Sequence, residues 1–394
     1  MLNAKPNIRI TGRRGNVIVI SAIMMTVLLG MTAMAVDMGN LYHARTQMQA
    51  CADSAALAGA WELMDEDRLA GSPNMGDEIV NARNQVSAFA ALNPVLNAAP
   101  AIDPNLANSL TGEFVVGYLN DPTDQSEALS TSGDPAQYNS VMVRVRRTAG
   151  SNGVIPTIFA NIFGNSASEL EATATATFKD GVTGFRATPE TGNAGLMPFA
   201  LHVDSWNDLL AGAVSTGDNY EYDESSGVSS GSDNILELNL YPGAGVSQLP
   251  PGNFGTVDIG SSNNSTAVLS RQIRYGVTEA DLAFHGGELS LGSSGSFQLN
   301  GDTGLSAAIK SDLEAIIGEP RTILLFNTVT GNGNNSMYTI VGFAGIRVLN
   351  VKLTGSMSSK EVIIQPAYVV DDSAMTGPGS GSSYFVMKPV FLSR

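Results

Sequence analysis

The sequence is poor in the residues that usually carry catalysis, metal binding or covalent cross-links. It has one cysteine and three histidines in 394 residues, so an intramolecular disulfide framework is excluded and zinc chemistry has little support. His43, His202 and His285 lack ligand-like spacing, and no Gly-x-Ser-x-Gly elbow accompanies them. We therefore predict no catalytic residues, no metal site and no cofactor.

Positive charge is also scarce. Lys and Arg together number 21 against 37 Asp and Glu, which gives a net charge of −16. Four of the basic residues, Lys5, Arg9, Arg13 and Arg14, precede the first apolar run. Binding to phosphates needs clustered Lys and Arg, so this composition argues against nucleic acid as a partner.

A long apolar run is the dominant positive feature. Asn16 to Val36 carries no charge, and about 20 residues of helix span the roughly 30 Å of a bilayer's hydrocarbon core. Basic residues precede the run and Asp37 follows it, and basic residues favour the cytoplasmic side. The sequence thus predicts a basic cytoplasmic tail (1–15), a transmembrane helix (16–36) in the inner membrane and the rest of the chain outside the cytoplasm.

The same run admits a second interpretation. Ala33-Met34-Ala35 matches the small-x-small pattern of a signal peptide cleaved before Val36. Against cleavage stand the length of the run and the segment from Asp37 to Met64, which has no proline and only weak helix breakers. We interpret the run as a retained anchor, with cleavage as the alternative.

Small residues recur along this helix. Ala22, Thr26 and Gly30 are spaced by four within the apolar run, the small-xxx-small arrangement that favours packing between transmembrane helices. Beyond the run, residues 50–60 are rich in alanine, which lets another backbone approach closely. The alternative is that alanine only supplies helix propensity and that the small intramembrane residues face lipid.

The segment from Arg13 to Ala60 resembles the N-terminal segment of TadG-like proteins of the tight-adherence (Flp) pilus assembly system. In that family an Arg-rich stretch and Gly precede the anchor, Asp-x-Gly closes it, and a Gln-x-x-x-Asp-x-Ala-Ala-Leu-Ala-Gly-Ala run follows. The matching positions here are Gly15, Asp37, Gly39, Gln49, Asp53, Ala55, Ala56, Leu57, Ala58, Gly59 and Ala60. Softer similarity runs through VMVRVRR, IPTIFANIFG, LEATATATF and GLMPFAL, to about residue 205.

The resemblance implies a structural role in pilus or secretion-machinery assembly. The implied partners are the membrane and other pilus-assembly or pseudopilin-like proteins, with self-association as an option. Together, the spacing and the resemblance predict that the anchor and helix-packing residues are Ala22, Thr26, Gly30, Asp37, Gly39, Asp53, Ala55, Ala56 and Gly59.

Two departures from the family pattern limit the comparison. Larger members often carry a von Willebrand A-type domain with an Asp-x-Ser-x-Ser metal site, whereas the nearest match, beginning at Asp371, has Met375 in place of the second Ser. Pilins cut by prepilin peptidase have Glu at the fifth position after the cleaved Gly, where this chain has Ile20. We expect neither that domain nor pilin-type processing.

The remaining periodicities predict an α+β fold. A helix is expected from Asp77 to Leu92, a short helix over Ile155 to Phe163, and strands around residues 114–118, 141–146 and 170–178. A long N-terminal membrane-anchored helix packed on a small sheet resembles pilin architecture. These elements form a predicted TadG-like α+β region (37–190).

Composition shifts towards Gly, Ser and β-formers near Leu196, which predicts a mainly antiparallel β ectodomain (191–394). Its strand candidates include residues 236–240, 322–326, 338–343, 347–353 and 362–364, and one helix is expected over 306–317. Trp61 and Trp206 are expected to be buried. The acidic run Asp218 to Glu224 is interpreted as a solvated loop, with calcium binding as the alternative.

The sequence as a whole predicts a membrane-anchored, non-enzymatic structural component of a tight-adherence pilus or related machinery. It would act by helix packing in the membrane and by ectodomain contacts outside the cytoplasm. A secreted or surface adhesin unrelated to pilus assembly is the second hypothesis, and an envelope enzyme is the third.

Overall fold

The computed structural model describes residues 15–64, 66–69, 75–241, 253–261, 265–303, 307–356, 359–377 and 383–394. The predicted cytoplasmic tail therefore lies outside the described residues, apart from Gly15. The α-helices in these ranges are α1 (Gly15–Trp61), α2 (Met75–Leu92), α3 (Val203–Leu210), α4 (Thr266–Tyr275), α5 (Glu279–Ala283) and α6 (Lys310–Glu314). Single turns of 3-10 helix lie at Glu62–Met64, Glu66–Leu69, Pro135–Gln137, Ala160–Phe163, Ala307–Ile309 and Gly333–Asn335.

All the strands in these ranges follow the two long helices. In chain order they are β1 (Phe114–Gly117), β2 (Ser140–Arg147), β3 (Ile155–Pro156), β4 (Ala167–Ser168), β5 (Leu170–Thr177), β6 (Val182–Phe185), β7 (Leu196–His202), β8 (Tyr220–Asp223), β9 (Gly227–Ser230), β10 (Leu238–Asn239), β11 (Asn253–Val257), β12 (Leu289–Ser290), β13 (Phe297–Thr303), β14 (Pro320–Thr330), β15 (Met337–Lys352), β16 (Glu361–Pro366), β17 (Val369–Val370), β18 (Ala374–Thr376), β19 (Ser383–Tyr384), β20 (Val386–Met387) and β21 (Phe391–Leu392).

Helix α1 runs without a break for 47 residues, since no proline interrupts it. Its first part, 17–36, is long and apolar enough to cross a membrane, and its large side chains are exposed. Its second part places buried residues at helical spacing, namely Asp37, Ala44, Met48, Cys51, Ala52, Ala55, Ala56 and Ala60. One helix thus has an apolar, uncovered half and a half that packs inside the folded protein.

The packed half of α1 lies on a four-stranded antiparallel sheet in the order β1-β2-β5-β21. Val143 of β2 pairs with Phe114 of β1 and with Ala174 of β5, and every second residue of β2 from Val141 to Val145 is buried. Helix α2 packs against α1 on the same side of the sheet. Small side chains on both α1 and β5 let the helix and the sheet approach closely.

The second region is built around a ring of strands. Strand β15 pairs with β13 and β14, β13 pairs with β11, and β7 pairs with β11 and, in parallel, with β14. Strands β16, β10 and β19 extend this sheet. All seven residues of β7 are buried, because hydrophobic clusters cover both faces of the strand. The predicted α+β class, with mainly antiparallel pairing after the long helix, is confirmed.

Several connections join this region to the helical one, and two of them reach the neighbourhood of α1 and its sheet. The buried Arg347 guanidinium of β15 forms an ion pair with Glu66, with an Nη2–Oε1 distance of 2.7 Å, and its Cζ lies 3.4 Å from the centre of the Tyr222 ring. Strand β21 returns from the second region to pair with β5. Residues from the end of the chain therefore complete the sheet that supports α1.

Several local predictions differ from the structure, and the described part of the β region holds four α-helices where one or two were expected. Residues 155–163 form β3 and a 3-10 turn in place of one helix, consistent with the β-branched residues at its start. Trp61, expected inside, has 54% of its surface exposed, because nine helical residues place it about 180° from the buried Ala52. The strand candidates at 338–343 and 347–353 are one continuous strand, β15.

Two glycines of α1 provide a matched test of its packing. A Cβ at Gly59 would lie 2.5 Å from Val86 Cγ2 and 3.2 Å from Val141 Cγ1, whereas a Cβ at Gly39 would meet nothing within 4 Å. We expect Gly59→Ala to lower the free energy of unfolding by roughly 1–3 kcal/mol through overpacking. Gly39→Ala should raise it by roughly 0.5–1 kcal/mol through helix propensity.

Both variants can be compared with the wild type by urea unfolding of the full chain in detergent micelles, followed by circular dichroism. If the two substitutions change the midpoint equally and in the same direction, then Gly59 is not at a close contact between α1, α2 and β2.

Candidate functional site

The site starts from Asp37, the first charged residue after the apolar run. Its side chain is only 6% exposed although it stands on a helix whose preceding turns are uncovered. The carboxylate accepts three backbone N–H groups, from Ile158 at 2.9 Å, Phe159 at 2.9 Å and Ala160 at 2.6 Å. These donors lie more than a hundred residues further along the chain, so Asp37 fixes a distant segment against α1.

The same contacts set the charge state of Asp37. Burial of the carboxylate opposes ionisation, but the hydrogen bonds from Ala160, Ile158 and Phe159 outweigh it and hold the pKa of Asp37 below its ordinary value of 3.8. Asp37 is therefore negatively charged at neutral pH, one residue beyond the apolar run.

The segment held by Asp37 is a compact hairpin, residues 155–168, called here the 155–168 hairpin. Its two arms pair as β3 and β4, with Ile155 opposite Ser168. Its tip, residues 158–164, contains a turn of 3-10 helix, Ala160–Phe163, which is closed by Gly164, whose φ of 92° favours glycine. The side chains of Ile158, Ile162 and Phe163 are 64%, 77% and 80% exposed. The tip thus presents large apolar side chains on an otherwise hydrogen-bonded backbone.

A cleft of about 600 Å³ separates the hairpin from α1. Its lining on α1 follows the i, i+3, i+4, i+7 spacing of one helix face, and its lining on the hairpin comes from the tip and the β4 arm. The lining residues are Gly30, Ala33, Met34, Asp37, Met38, Leu41, Thr157, Phe159, Ala160, Phe163, Asn165, Ala167 and Ser168. The hairpin therefore lies beside the last turns of the apolar run as well as beside Asp37.

The predicted small face of the anchor leads into this cleft. Ala22 and Thr26 are exposed, and the Thr26 hydroxyl donates to the Ala22 carbonyl at 2.9 Å, which satisfies it within the helix. Gly30 has nothing within 4 Å of an added Cβ and lines the lower part of the cleft. The two deeper residues are thus available for contact with another helix, while the cleft begins at the third.

The predicted packing residues beyond the membrane serve the fold of the chain itself. Ala55 and Ala56 are fully buried in the core formed by α1, α2 and the first sheet, and Gly59 lies at the contact described above. Asp53 is half-buried and accepts a hydrogen bond from Gln49 at 2.8 Å. Gly39 is exposed. The structure therefore brings Asp37 into a cleft and the alanines into a core, which are two separate places.

The remaining polar candidates have local partners. In the described residues, no group of three or more His, Cys, Asp or Glu is arranged to hold a metal ion. The acidic run folds into the β8–β9 hairpin, where the Asp218 carboxylate accepts the N–H groups of Asp233 and Asn234. Asp371 accepts from Ser373 and Gly195. These carboxylates hold nearby backbone segments in place and do not converge on a common point.

The importance of the 155–168 hairpin is not evident from helical or strand periodicity. No charged residue occurs between Arg147 and Glu169, but the uncharged interval between Arg321 and Arg347 is longer, so this composition does not by itself mark the hairpin. Its position against α1 could be found only from the fold, because Asp37 binds backbone N–H groups.

Replacing Asp37 tests this contact. In Asp37→Asn one carboxylate oxygen becomes an NH₂ donor that faces backbone donors, so at least one of the three N–H groups loses its acceptor. We expect amide exchange at residues 158–160 to accelerate roughly 10- to 100-fold through local opening. Asp53→Asn is the control, since its remaining oxygen can still accept from Gln49. Hydrogen exchange read by mass spectrometry measures both.

The contact also predicts a pH dependence. Because the pKa of Asp37 is lowered on folding, its contribution to the free energy of unfolding is complete at pH values above 3.8 and is lost as pH falls through the folded pKa. The difference in free energy of unfolding between wild type and Asp37→Asn should therefore shrink as the pH is lowered from 3.8 through the folded pKa of Asp37. A difference that does not change with pH would contradict an ionised Asp37 in the hairpin contact.

Comparison with known protein families gives two matches, both within the first half of the chain. Residues 15–62 match the family described as Flp pilus-assembly TadE/G-like. Residues 58–176 match the family described as Tad-like Flp pilus-assembly. A comparison with curated proteins gives no match, and neither does a comparison with solved structures. The two matched ranges together cover α1, the 155–168 hairpin and nearly all of the sheet on which α1 packs, and over these residues the chain is similar to TadE/G-like Flp pilus-assembly proteins.

Proposed function

We propose that this protein is a structural component of a tight-adherence (Flp) pilus or related secretion machinery. It is anchored in the cytoplasmic membrane by residues 16–36, with residues 1–15 in the cytoplasm and the bulk of the chain outside it. It acts by packing its anchor among other membrane helices and by presenting the ectodomain to further assembly proteins or to a second copy of itself.

The observation that carries this proposal is the continuity of α1. The helix passes from an uncovered apolar half into a half buried on a sheet, with no loop between them. A flexible linker would let an anchored ectodomain move freely, whereas one helix fixes its height and orientation over the membrane. Rigid coupling of this kind suits a part that transmits position within an assembly.

The orientation is supported by charge on the two sides of the apolar run. Basic residues precede the run, and Asp37 is the first charge after it. Basic residues favour the cytoplasmic side on insertion, and the strongly acidic remainder does not oppose export. The division into a helical region (37–190) and a β region (191–394) is part of this proposal, with β21 as a return connection between them.

A structural role is favoured over catalysis by the local pairing of the candidate polar groups. His202 lies at the end of β7, where its Nε2 is 3.1 Å from the Asn327 carbonyl oxygen and its Nδ1 accepts from the Asp204 amide at 3.2 Å. Arg144 and Arg146, which could have formed a binding patch, both pair with Glu171. We therefore keep the adhesin hypothesis only as an outcome of the tests below.

Topology gives the first test. In cells with an opened outer envelope, added protease should degrade the ectodomain and spare only the anchor and the basic tail, because the chain crosses the membrane once, through the apolar run. Immunoblotting of an N-terminal epitope tag reads the spared fragment. Sequencing of the mature N-terminus should place it before Asn16.

Two results would contradict this topology. Protection of residues 191–394 from protease would reverse the orientation, and a mature chain beginning at Val36 would establish a cleaved signal peptide. The second result, together with surface labelling and no pilus-assembly partner, would favour the adhesin hypothesis.

The small face of the anchor gives the second test. Ala22→Leu adds bulk on that face two turns below Gly30 without changing the apolar character of the run, so close helix approach should be blocked. Ala35→Leu is the control, because Ala35 lies nine residues from Thr26 and hence about 180° around the helix. We expect cross-linking of the anchor to neighbouring membrane helices to fall in Ala22→Leu and to persist in Ala35→Leu.

The ectodomain serves as the internal reference for this experiment. Its thermal unfolding should be unchanged in both variants, since both substitutions lie outside the folded core. Equal cross-linking and equal pilus assembly in the two variants would mean that Ala22, Thr26 and Gly30 face lipid, which was the alternative interpretation of their spacing.

A further inference from the structure

We propose that the 155–168 hairpin is a second membrane contact, whose tip inserts into the lipid leaflet on the ectodomain side of the bilayer crossed by α1. The inference rests on the proposed retention of α1 as an anchor and goes beyond it. It assigns the exposed apolar surface of the hairpin to one occupant, the acyl and headgroup boundary of that leaflet.

Depth is the first argument. The hairpin tip shares a cleft with Gly30, Ala33 and Met34, which belong to the apolar run that must lie in hydrocarbon. Seven residues separate Gly30 from Asp37, so the cleft extends about 10 Å along α1 below the first charge. Amphipathic elements at membrane surfaces bury their apolar side chains about 5–10 Å deep. If α1 spans a bilayer, its geometry therefore carries the hairpin tip to that depth.

Composition is the second argument. The tip exposes Ile158, Ile162 and Phe163 to 64%, 77% and 80%, while residues 148–168 contain no charged side chain. Exposed apolar groups of this size are costly in water but favourable at a membrane surface. The absence of charge removes the main penalty for entering the interface.

Backbone pairing is the third argument, because unpaired N–H groups are costly in lipid. Asp37 accepts the first three donors of the tip, at residues 158–160. The Ile162, Gly164 and Asn165 amides donate to carbonyls within the tip, and the Thr157 amide donates to the Ser166 carbonyl. Asp37 therefore serves as the acceptor that allows these amides to approach the bilayer.

A lipid occupant is favoured over a protein partner because the hairpin surface is continuous with the lipid-facing surface of the anchor. The cleft is lined by both, and the apolar side chains of residues 17–36 are uncovered up to its lower end. The lipid that surrounds the anchor can therefore also cover the hairpin, and no additional protein partner is needed. A second copy or another pilus-assembly protein remains a distinct outcome of the test.

The experiment places a tryptophan in the hairpin of the full-length chain. Phe163→Trp is a mild change at an exposed site, and Phe284→Trp is the matched control at a 57% exposed phenylalanine in the β region. Both variants retain the native Trp61 and Trp206 as a common background. Each is reconstituted in phosphatidylcholine vesicles with bromine atoms at shallow or deep acyl positions.

We expect shallow bromines to quench the emission of Phe163→Trp, deep bromines to quench it less, and neither to quench the added emission of Phe284→Trp. Flotation of the protein with the vesicles measures membrane attachment through the anchor separately. Flotation with no quenching of Phe163→Trp overturns the hairpin contact and leaves the anchor intact, whereas failure to float overturns the anchor on which the inference rests.

A protein occupant would give a different pattern. A blue-shifted Phe163→Trp emission that bromines do not quench would show that protein covers the hairpin, and this would overturn the proposal. If the blue shift disappears on dilution to one chain per vesicle, the protein that covers the hairpin is a second copy of this chain. Insertion into lipid predicts instead that quenching is independent of the number of chains per vesicle.

Discussion

The structure depends on one constraint, the unbroken course of α1 through two different environments. Up to Val36 its large side chains are uncovered, and from Asp37 onwards one face is buried against α2 and the sheet. A helix rises about 1.5 Å per residue, so each contact made by the upper half has a fixed height above the apolar half. The position of the folded region relative to the apolar half of α1 is thus set by packing on the helix and needs no linker.

A few long-range contacts fix other parts of the chain relative to this helix. Asp37 fixes the 155–168 hairpin at the lower end of the packed half. At the upper end, Glu66 pairs with Arg347, and β21 adds itself to the sheet on which α1 lies. Because these contacts join residues far apart in sequence, the β region extends the helical region as a connected body.

Much of the architecture follows from local periodicity. Helix α2 and strands β2 and β5 were predicted close to their observed bounds, because each has a regular apolar face and clear end signals. The ring of strands was not predicted, since strand pairing depends on partners that period-2 alternation cannot identify. The division of β15 into two candidates had the same cause: the strand changes one of its partners along its length, from β13 to β16.

The sequence by itself determined the anchor, the charge that ends it and the small residues that let α1 pack closely. These features depend on the size, charge and spacing of side chains, which can be read directly from the sequence. Only the tertiary structure decided what each surface meets: the alanine segment meets the helix and sheet of its own chain, and Asp37 meets residues 158–160. The reason is physical, because Asp37 binds backbone N–H groups, which every residue except proline possesses and which leave no signature in the sequence.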